Sequence, residues 1–220
     1  MKNIVRIFPL LFVASVMSML SLCGASGADE EGWKEVSKSG DITIFNRSRK
    51  GSDILEVKAV GVFDVAPIVV KRVLDDSDEH PKFMPYVAES RVISRKGDTV
   101  IGYQRLSLPI ISDRDYTMRI HFETRRCADG GTAYCNRWET ANELGPPERA
   151  GVARVKINEG YWLMEPVPGR AQTRATYCVY CDSGGKIPSS FANTANRTAI
   201  PKLFESIRKQ VKLEKYATGK

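Results

Sequence analysis

The chain has 220 residues, of which 42% are hydrophobic and 27% charged, and its formal net charge is +7. These proportions exclude a disordered chain and suit one globular domain with a single core. Acidic and basic residues are interspersed without a run of five or six like charges, so nucleic acid is not expected as a partner.

The N-terminus has the layout of a secretory signal peptide over residues 1–28. Lys2 and Arg6 provide a basic start, residues 7–22 form an apolar run, and residues 26–28 are small, as a cleavage site requires. The run is shorter than the ~20 residues of a membrane-spanning helix, which favours cleavage over a retained anchor. We therefore expect an exported, periplasmic protein whose mature domain is residues 29–220.

Most of the mature chain has the pattern of short strands joined by polar or glycine-bearing turns, which predicts antiparallel neighbours. Residues 66–74 instead predict a short helix, with Pro67 in its first turn and Asp64 as its cap. The predicted strands are 41–45, 54–63, 88–95, 99–108, 114–126, 132–140, 152–164 and 171–181.

One strand divides most clearly into two faces, since residues 116–122 alternate between apolar and polar. Its apolar face needs a cover, and residues 189–213 predict the amphipathic helix that supplies it. Pro201 lies inside this helix, so we expect a kink near residues 195–197 or two helical pieces. The apolar stripe of the helix is Phe191, Ala195, Ala199, Leu203, Ile207 and Val211, broadened by Ile200 and Phe204.

The order of these elements resembles the START lipid-transfer domain of the helix-grip superfamily. The resemblance rests on Leu108-Pro109 followed by Arg114-Asp115, on residues 152–166, and on "DSGGKIP" at 182–188, which leads into the last helix. Ser183 departs from the pattern, because the family commonly has proline there. The resemblance implies an α+β helix-grip fold, in which a curved antiparallel sheet wraps around the long C-terminal helix and leaves an apolar cavity.

The resemblance also implies a carrier that holds one lipid, a sterol or a phospholipid, in a tunnel between sheet and helix without chemistry. We accordingly expect no cofactor, a monomer and transient contact with a membrane surface. The apolar wall would bind a lipid in proportion to the area removed from water, roughly 25 cal/mol per Å². Candidate wall residues are Tyr116, Met118, Ile120, Phe122 and Trp138; lid residues are Phe191, Ala195, Ala199 and Leu203; mouth residues are Phe83, Met84, Tyr86, Leu108 and Ile110. Each is equally compatible with an ordinary core, because periodicity reports burial alone.

Polar residues inside such a tunnel would orient a lipid head. The resemblance places Arg154 near the inner end of the cavity, paired with a carboxylate, whereas strict alternation along 153–157 favours an outward Arg154. Asn136 and Gln104 are further candidates on the same grounds. The Arg114-Asp115 pair is expected to fix the start of a strand rather than to touch ligand.

There are two alternatives to a lipid carrier. One is a helix-grip enzyme of cyclase or hydrolase type, and the other is an interaction module at the membrane surface. An enzyme would need an acid or base in the pocket. His80 lies in a loop before a proline and His121 on the polar face of a strand, and the sequence has no nucleophile elbow, carboxylate pair or phosphate loop. A lipid carrier is therefore favoured.

Two cysteines flank the turn of a predicted hairpin. If its loop is residues 130–132, Cys127 stands opposite Cys135 on the polar face, and an exported protein would join them in a disulfide. The same register sets Arg137 against Arg125, an unfavourable like-charge pair.

The other two cysteines, Cys178 and Cys181, have the CxxC spacing of redox and metal sites. In an extended strand they lie about 10 Å apart, beyond the ~7 Å limit for a disulfide, and they point to opposite faces. A second pair of zinc ligands is not evident in the sequence. We expect free or structural thiols and no metal.

Overall fold

The computed structural model describes residues 32–184 and 189–218, with side chains from residue 198 onward in the second segment. The strands are β1 (Lys34–Ser39), β2 (Ile42–Ser48), β3 (Leu55–Phe63), β4 (Val87–Lys96), β5 (Thr99–Leu106), β6 (Asp113–Arg126), β7 (Thr132–Thr140), β8 (Val152–Arg154), β9 (Ile157–Pro166) and β10 (Thr173–Asp182). The helices are α1 (Pro67–Asp75), α2 (His80–Phe83), α3 (Ser189–Gln210) and α4 (Glu214–Thr218), with 3₁₀ turns at Ser77–Glu79 and Asn142–Leu144. In the described part of the chain, the helices are too short or too polar to cross a membrane.

The strands form a ten-stranded sheet in the order β1-β2-β3-β10-β9-β7-β6-β5-β4. All neighbours along this path are antiparallel, and β8 is added in parallel to β6. The pairing of β3 with β10 joins the first three strands to the rest of the sheet. Helix α3 follows β10 in the chain and packs on the sheet. The predicted curved antiparallel sheet with a long C-terminal helix, an α+β helix-grip fold, is confirmed.

The face of the sheet under α1 and α3, here called the inner face, holds the core. The second half of α3 packs on it through Ile200, Phe204 and Ile207, and Val211 just after the helix does the same; all four are buried. The Phe204 ring stacks on Phe63 at 5.4 Å between centroids. A Cβ atom on Gly61 would lie 2.8 Å from that ring, so the helix approaches the sheet this closely only because residue 61 is glycine.

Helix α1 begins as predicted, with Pro67 in its first turn. The predicted cap is wrong: Ala66 is the N-cap, and the Asp64 carboxylate accepts a hydrogen bond from Gln172 Nε2 at 2.7 Å instead. Helix α3 runs through Pro201 as one helix rather than two pieces; the expected kink stays a prediction.

The predicted strand 152–164 is two strands. The Val155 N–H donates to the Asp115 carbonyl at 2.9 Å, whereas the Lys156 N–H donates to the Asp182 carbonyl at 3.0 Å. The chain therefore changes partner from β6 to β10 between these residues, which divides β8 from β9. Strand β1 was not predicted, because its exposed edge position gives it little apolar alternation.

The predicted register of the β6–β7 hairpin is wrong. Cys135 faces Glu123, and Arg119 faces Glu139 with 2.6 Å between Nη1 and Oε1, so opposite charges meet across the strands. The loop is longer than predicted and is closed by the Cys127 N–H and the Gly131 carbonyl at 2.9 Å. Cys127 lies four residues from Glu123, about 13 Å along an extended chain. The predicted disulfide is therefore wrong: Cys127 and Cys135 are not bridged.

Cys178 and Cys181 are free thiols on opposite faces of β10, as predicted. Burial is the main cause that raises the pKa of each thiol to about 12, and the Glu56 carboxylate raises that of Cys178 further. Thiolates are thus disfavoured at both positions, which argues against redox work.

Candidate functional site

The inner face carries a cluster of aromatic rings contributed by β7, β9, β10 and α3. Tyr177 lies 4.7 Å from Trp162 and 5.9 Å from Trp138 between ring centroids, and Trp162 lies 5.2 Å from Phe204. All but Tyr177 are at most 8% exposed. This part of the inner face, under the second half of α3, is a filled core. Sequence reasoning missed Trp162 and Tyr177 as wall residues, although the alternation of β9 and β10 carried the signal.

The five wall candidates lie in register on the inner face. Tyr116, Met118 and Trp138 are buried, and Ile120 packs half-buried against the core. Phe122 lies near the far end of β6, with Lys71 Nζ 5.1 Å and the Arg95 guanidinium carbon 5.7 Å from its ring centre. The prediction of a shared apolar face is therefore right, with Phe122 at its polar margin.

The mouth candidates come from two segments that the structure brings together. Ser107 N–H donates to the Tyr86 carbonyl at 2.8 Å and links the chain after α2 to loop 107–112. Phe83 and Met84 pack half-buried on the core. In the loop, Leu108 is half-buried, but Ile110 is 99% exposed with φ 75°. Ile110 therefore does not line the interior, and its predicted lining role is wrong, because it occupies the loop tip.

The lid candidates are partly described. Ala199 and Leu203 are half-buried at the margins of α3, while the centre of its buried stripe runs through Ile200 and Phe204. Phe191 and Ala195 lie outside the described side chains, as do residues 185–188 of the "DSGGKIP" segment.

A chain of hydrogen bonds crosses the inner face near α2. The Tyr116 hydroxyl donates to Gln104 Oε1 at 2.8 Å, and Gln104 Nε2 lies 3.0 Å from His80 Nδ1. His80 Nε2 lies 3.2 Å from the Leu74 carbonyl. These partners fit a neutral imidazole with its proton on Nε2. Sequence reasoning placed His80 in a loop, but it opens α2 and is buried.

The electrostatics of this chain keep it uncharged. Burial is the main cause that lowers the pKa of His80 to about 4, and burial raises the pKa of Tyr116 well above its usual range. Both ring nitrogens of His80 already have partners, so it is poorly placed as a general base. His121 lies on the outer face beside Thr99.

Asn136 is buried on the inner face, 5% exposed. Its Nδ2 donates to Asp75 Oδ1 of α1 at 2.8 Å, while its Oδ1 has no hydrogen-bond partner among the described residues. The contact with Asp75 fixes the amide orientation, so the acceptor stays open within this part of the chain.

Arg154 pairs with a carboxylate, as the resemblance implied, but on the opposite face. Its Nε and Nη2 donate to Asp115 Oδ1 and Oδ2 at 2.7 and 3.1 Å, and Tyr103 donates to Oδ2 at 3.2 Å. Alternation along β6 places Asp115 on the outer face, away from Tyr116. The prediction of a cavity role for Arg154 is wrong, and the outward position favoured by alternation is right.

The outer face carries a cavity of about 340 Å³ above Gly160. Two of its arginines are matched by acids, since Arg47 lies 2.8 Å from Glu56 and Arg49 pairs with Glu159, and Arg137 lies over the Tyr161 ring. This is a polar, internally neutralised surface. The predicted tunnel under the first half of α3, whose side chains are not described, stays a prediction. Within the described residues, no group of three or more His, Cys, Asp and Glu side chains converges as a metal site would require.

Comparisons with known proteins place this geometry in a wider setting. A family model described as polyketide cyclase / dehydrase and lipid transport matches residues 66–208. The human phosphatidylcholine transfer protein is 27% identical over 188 residues, covering 83% of each chain. An uncharacterised protein of Pseudomonas aeruginosa is 27% identical over 171 residues, covering 77% of this chain and 82% of that one. The crystal structure of a STAR-related lipid transfer protein fragment from Xanthomonas axonopodis superposes with a TM-score of 0.74 at 25% identity, over 83% of this chain and 100% of that one.

Proposed function

Since this chain belongs to the polyketide cyclase / dehydrase and lipid transport family and has a START-type helix-grip fold, we propose that it binds one lipid under α3 and carries it between membranes. The observation that most supports this function is the likeness to lipid transfer proteins over more than four fifths of the chain. The ligand class follows from the inner face, which is apolar except for a few neutral or unmatched polar groups.

The proposed carrier does no chemistry on its ligand. The candidate base, His80, is neutral, has a pKa lowered to about 4 and has both ring nitrogens in contact with partners. Tyr116 holds its proton because burial raises its pKa. A cyclase or hydrolase would need a group that changes protonation near neutral pH, and these side chains do not supply one.

The proposed site of action is the periplasm, reached through the leader at residues 1–28 that we expect to be removed. Loop 107–112 would touch the membrane, because the fully exposed Ile110 at its tip gains by leaving water. We propose that the mature protein works as a monomer, with the 80–87 and 107–112 segments opening beside α3.

Native mass spectrometry of the purified mature protein, followed by lipid extraction, tests the proposed function. We expect one co-purifying lipid per chain and no turnover of an added ester or polyketide mimic. Turnover without a bound lipid would favour the enzyme. Hydrogen exchange with and without lipid should differ in 80–87 and 107–112; unchanged exchange there would contradict the proposed opening.

Transfer between donor and acceptor vesicles tests the membrane contact. Ile110→Asp should slow transfer without lowering lipid occupancy, because the side chain is exposed at the loop tip. Ile93→Asp is the matched control: Ile93 is 42% exposed on β4, six residues and roughly 20 Å from the mouth end of that strand. Equal slowing in both variants would exclude a specific role for the loop.

A further inference from the structure

Arg114 is a buried cation on the inner face, at the end of β6 nearest the mouth. It is 3% exposed. In the sheet it lies between Leu106 of β5 and Ala153 of β8, two small or apolar neighbours that offer no charge.

The hydrogen bonds of Arg114 are incomplete. Its Nη1 donates to the carbonyl and, at 3.0 Å, to the hydroxyl of Ser112, so it does brace the strand start, as predicted. Its Nε has no acceptor among the residues that the structure describes. The two acids beside it in sequence are committed elsewhere, Asp113 to Arg105 and Asp115 to Arg154.

A matching carboxylate is missing from the surroundings that the structure describes. Across residues 32–184 and 198–218, no acidic side chain lies within 4.0 Å of the Arg114 guanidinium nitrogens. The sequence of residues 185–197, whose side chains the structure does not describe, contains no Asp or Glu. The described part of α3 adds Lys202, whose Nζ lies 3.5 Å from the Tyr86 hydroxyl at the mouth.

A guanidinium in this position calls for an anionic acceptor. Arginine does not lose its proton in proteins, and an unpaired buried charge is costly until it is paired and hydrogen-bonded. The planar fork of arginine matches the oxygens of phosphate and carboxylate groups. A second cation is excluded as the partner, because like charges repel at this distance.

We propose that Arg114 binds an anionic oxygen, from a phosphate or carboxylate head group, of the lipid held under α3. This inference rests on the proposed function and narrows its ligand to amphiphiles with an acidic head, which lies at the mouth while the tails extend along the inner face. A neutral lipid of the same length leaves Arg114 unmatched and binds less tightly.

The test compares two fluorescent lipids with identical acyl chains, phosphatidic acid and diacylglycerol, on the purified mature protein. We expect wild-type protein to bind phosphatidic acid at least about tenfold more tightly, which is the size of effect of a charge-assisted hydrogen bond. Arg114→Met should remove most of this preference and Arg114→Lys only part of it. Arg119→Met, on the outer face of the same strand, is the matched control and should keep the preference.

Three outcomes overturn the inference. Equal affinity of wild-type protein for both lipids would overturn it and leave the proposed carrier intact, whereas binding of neither lipid would overturn both. Binding of inorganic phosphate that depends on Arg114 but leaves phosphatidic acid bound would assign Arg114 to a free anion and overturn the head-group contact. If Arg114→Met fails to fold, phosphorus NMR of the wild-type complex decides: contact lowers the pKa of the bound phosphate relative to vesicles, and an unchanged pKa excludes contact.

Discussion

Arg114 and Asp115 are neighbours in β6, but their charged groups lie on opposite faces of the sheet and differ in how many hydrogen-bond partners they have. On the outer face, Asp115 is 1% exposed and receives two hydrogen bonds from Arg154 and one from Tyr103. On the inner face, Arg114 is nearly as buried, but within the described part of the chain only its Nη1 has hydrogen-bond partners. On the outer face, Arg154 and Tyr103 supply the partners of the Asp115 carboxylate. On the inner face, the proposed partner of the Arg114 guanidinium is the head group of the bound lipid.

The inner face shows the same contrast on a smaller scale. The polar chain of His80, Gln104 and Tyr116 is satisfied internally, whereas Asn136 Oδ1 has no partner in the residues that the structure describes. Satisfied groups hold a structure in place, and unsatisfied ones mark positions where a ligand or water completes the bonding. Four changes test this distinction, in order of expected effect on stability.

Asp115→Asn should cause the largest loss of stability, about 3–5 kcal/mol, because it leaves Arg154 uncompensated. Urea unfolding followed by circular dichroism measures it. Asp113→Asn is the control: its partner Arg105 is 26% exposed and also contacts Glu89, so the loss should stay below about 1 kcal/mol. Equal losses would mean that the outer pair is no more structural than a surface ion pair.

Lowering the pH should destabilise the protein through His80. Its pKa is about 4 in the folded state against 6.5 for an ordinary histidine, so the unfolded chain binds the proton first. Stability is therefore complete above pH 6.5, falls as the pH drops towards 4, and has then lost about 3 kcal/mol. Urea midpoints across this pH range measure the loss, and the difference from His80→Gln isolates this residue. An identical pH dependence in that variant would contradict the assignment.

Tyr116→Phe should cost about 1–2 kcal/mol, because it removes a hydrogen bond and leaves Oε1 of the half-buried Gln104 without its donor. Tyr180→Phe is the comparison: its hydroxyl donates to Ser52 Oγ at 2.8 Å on the outer face, and Ser52 Oγ keeps the Ile54 N–H as a donor when the tyrosine hydroxyl is removed. Thermal unfolding of both variants, without lipid, measures the difference. A larger loss for Tyr180→Phe would refute the structural role of the inner polar chain.

Arg114→Met should have the smallest effect, within about 1 kcal/mol and with stabilisation as readily as loss, since it exchanges an unmatched buried charge for an apolar side chain. Urea unfolding of the lipid-free protein measures it. A loss as large as that of Asp115→Asn would mean that the bonds to Ser112 already complete Arg114, and the contrast between the two faces would disappear.

The sequence predicted the elements with strong local periodicity. The period of two in residues 116–122 and the spacing of Ile207 and Val211 arise from faces buried along one strand or helix, so each short segment carries its own signal. The positions of Pro67 in α1 and of the two thiols in β10 followed from local geometry in the same way.

What the sequence did not predict depends on distant partners. The β6–β7 register is favoured by the contact between Arg119 and Glu139. Strand β8 is separate from β9 because the backbone hydrogen bonds change partner from Asp115 to Asp182 at this point. His80 is buried where its ring nitrogens contact Gln104 and the Leu74 carbonyl. The sequence around His80 is typical of a loop and does not predict either contact. For Arg154, by contrast, local sequence gave the right prediction. The alternation along residues 153–157 predicted the outer face, whereas the family resemblance predicted the inner one.

The pairing of β3 with β10 also bears on how the chain folds. Glu56 and Cys178, in contact across these strands, are 122 residues apart, and contacts of such separation slow folding because a long loop must close first. Most of the chain must therefore leave the ribosome before the sheet can close. Until then the aromatic surface is open to chaperones and to other nascent chains, and a product truncated before β10 is expected to aggregate rather than fold.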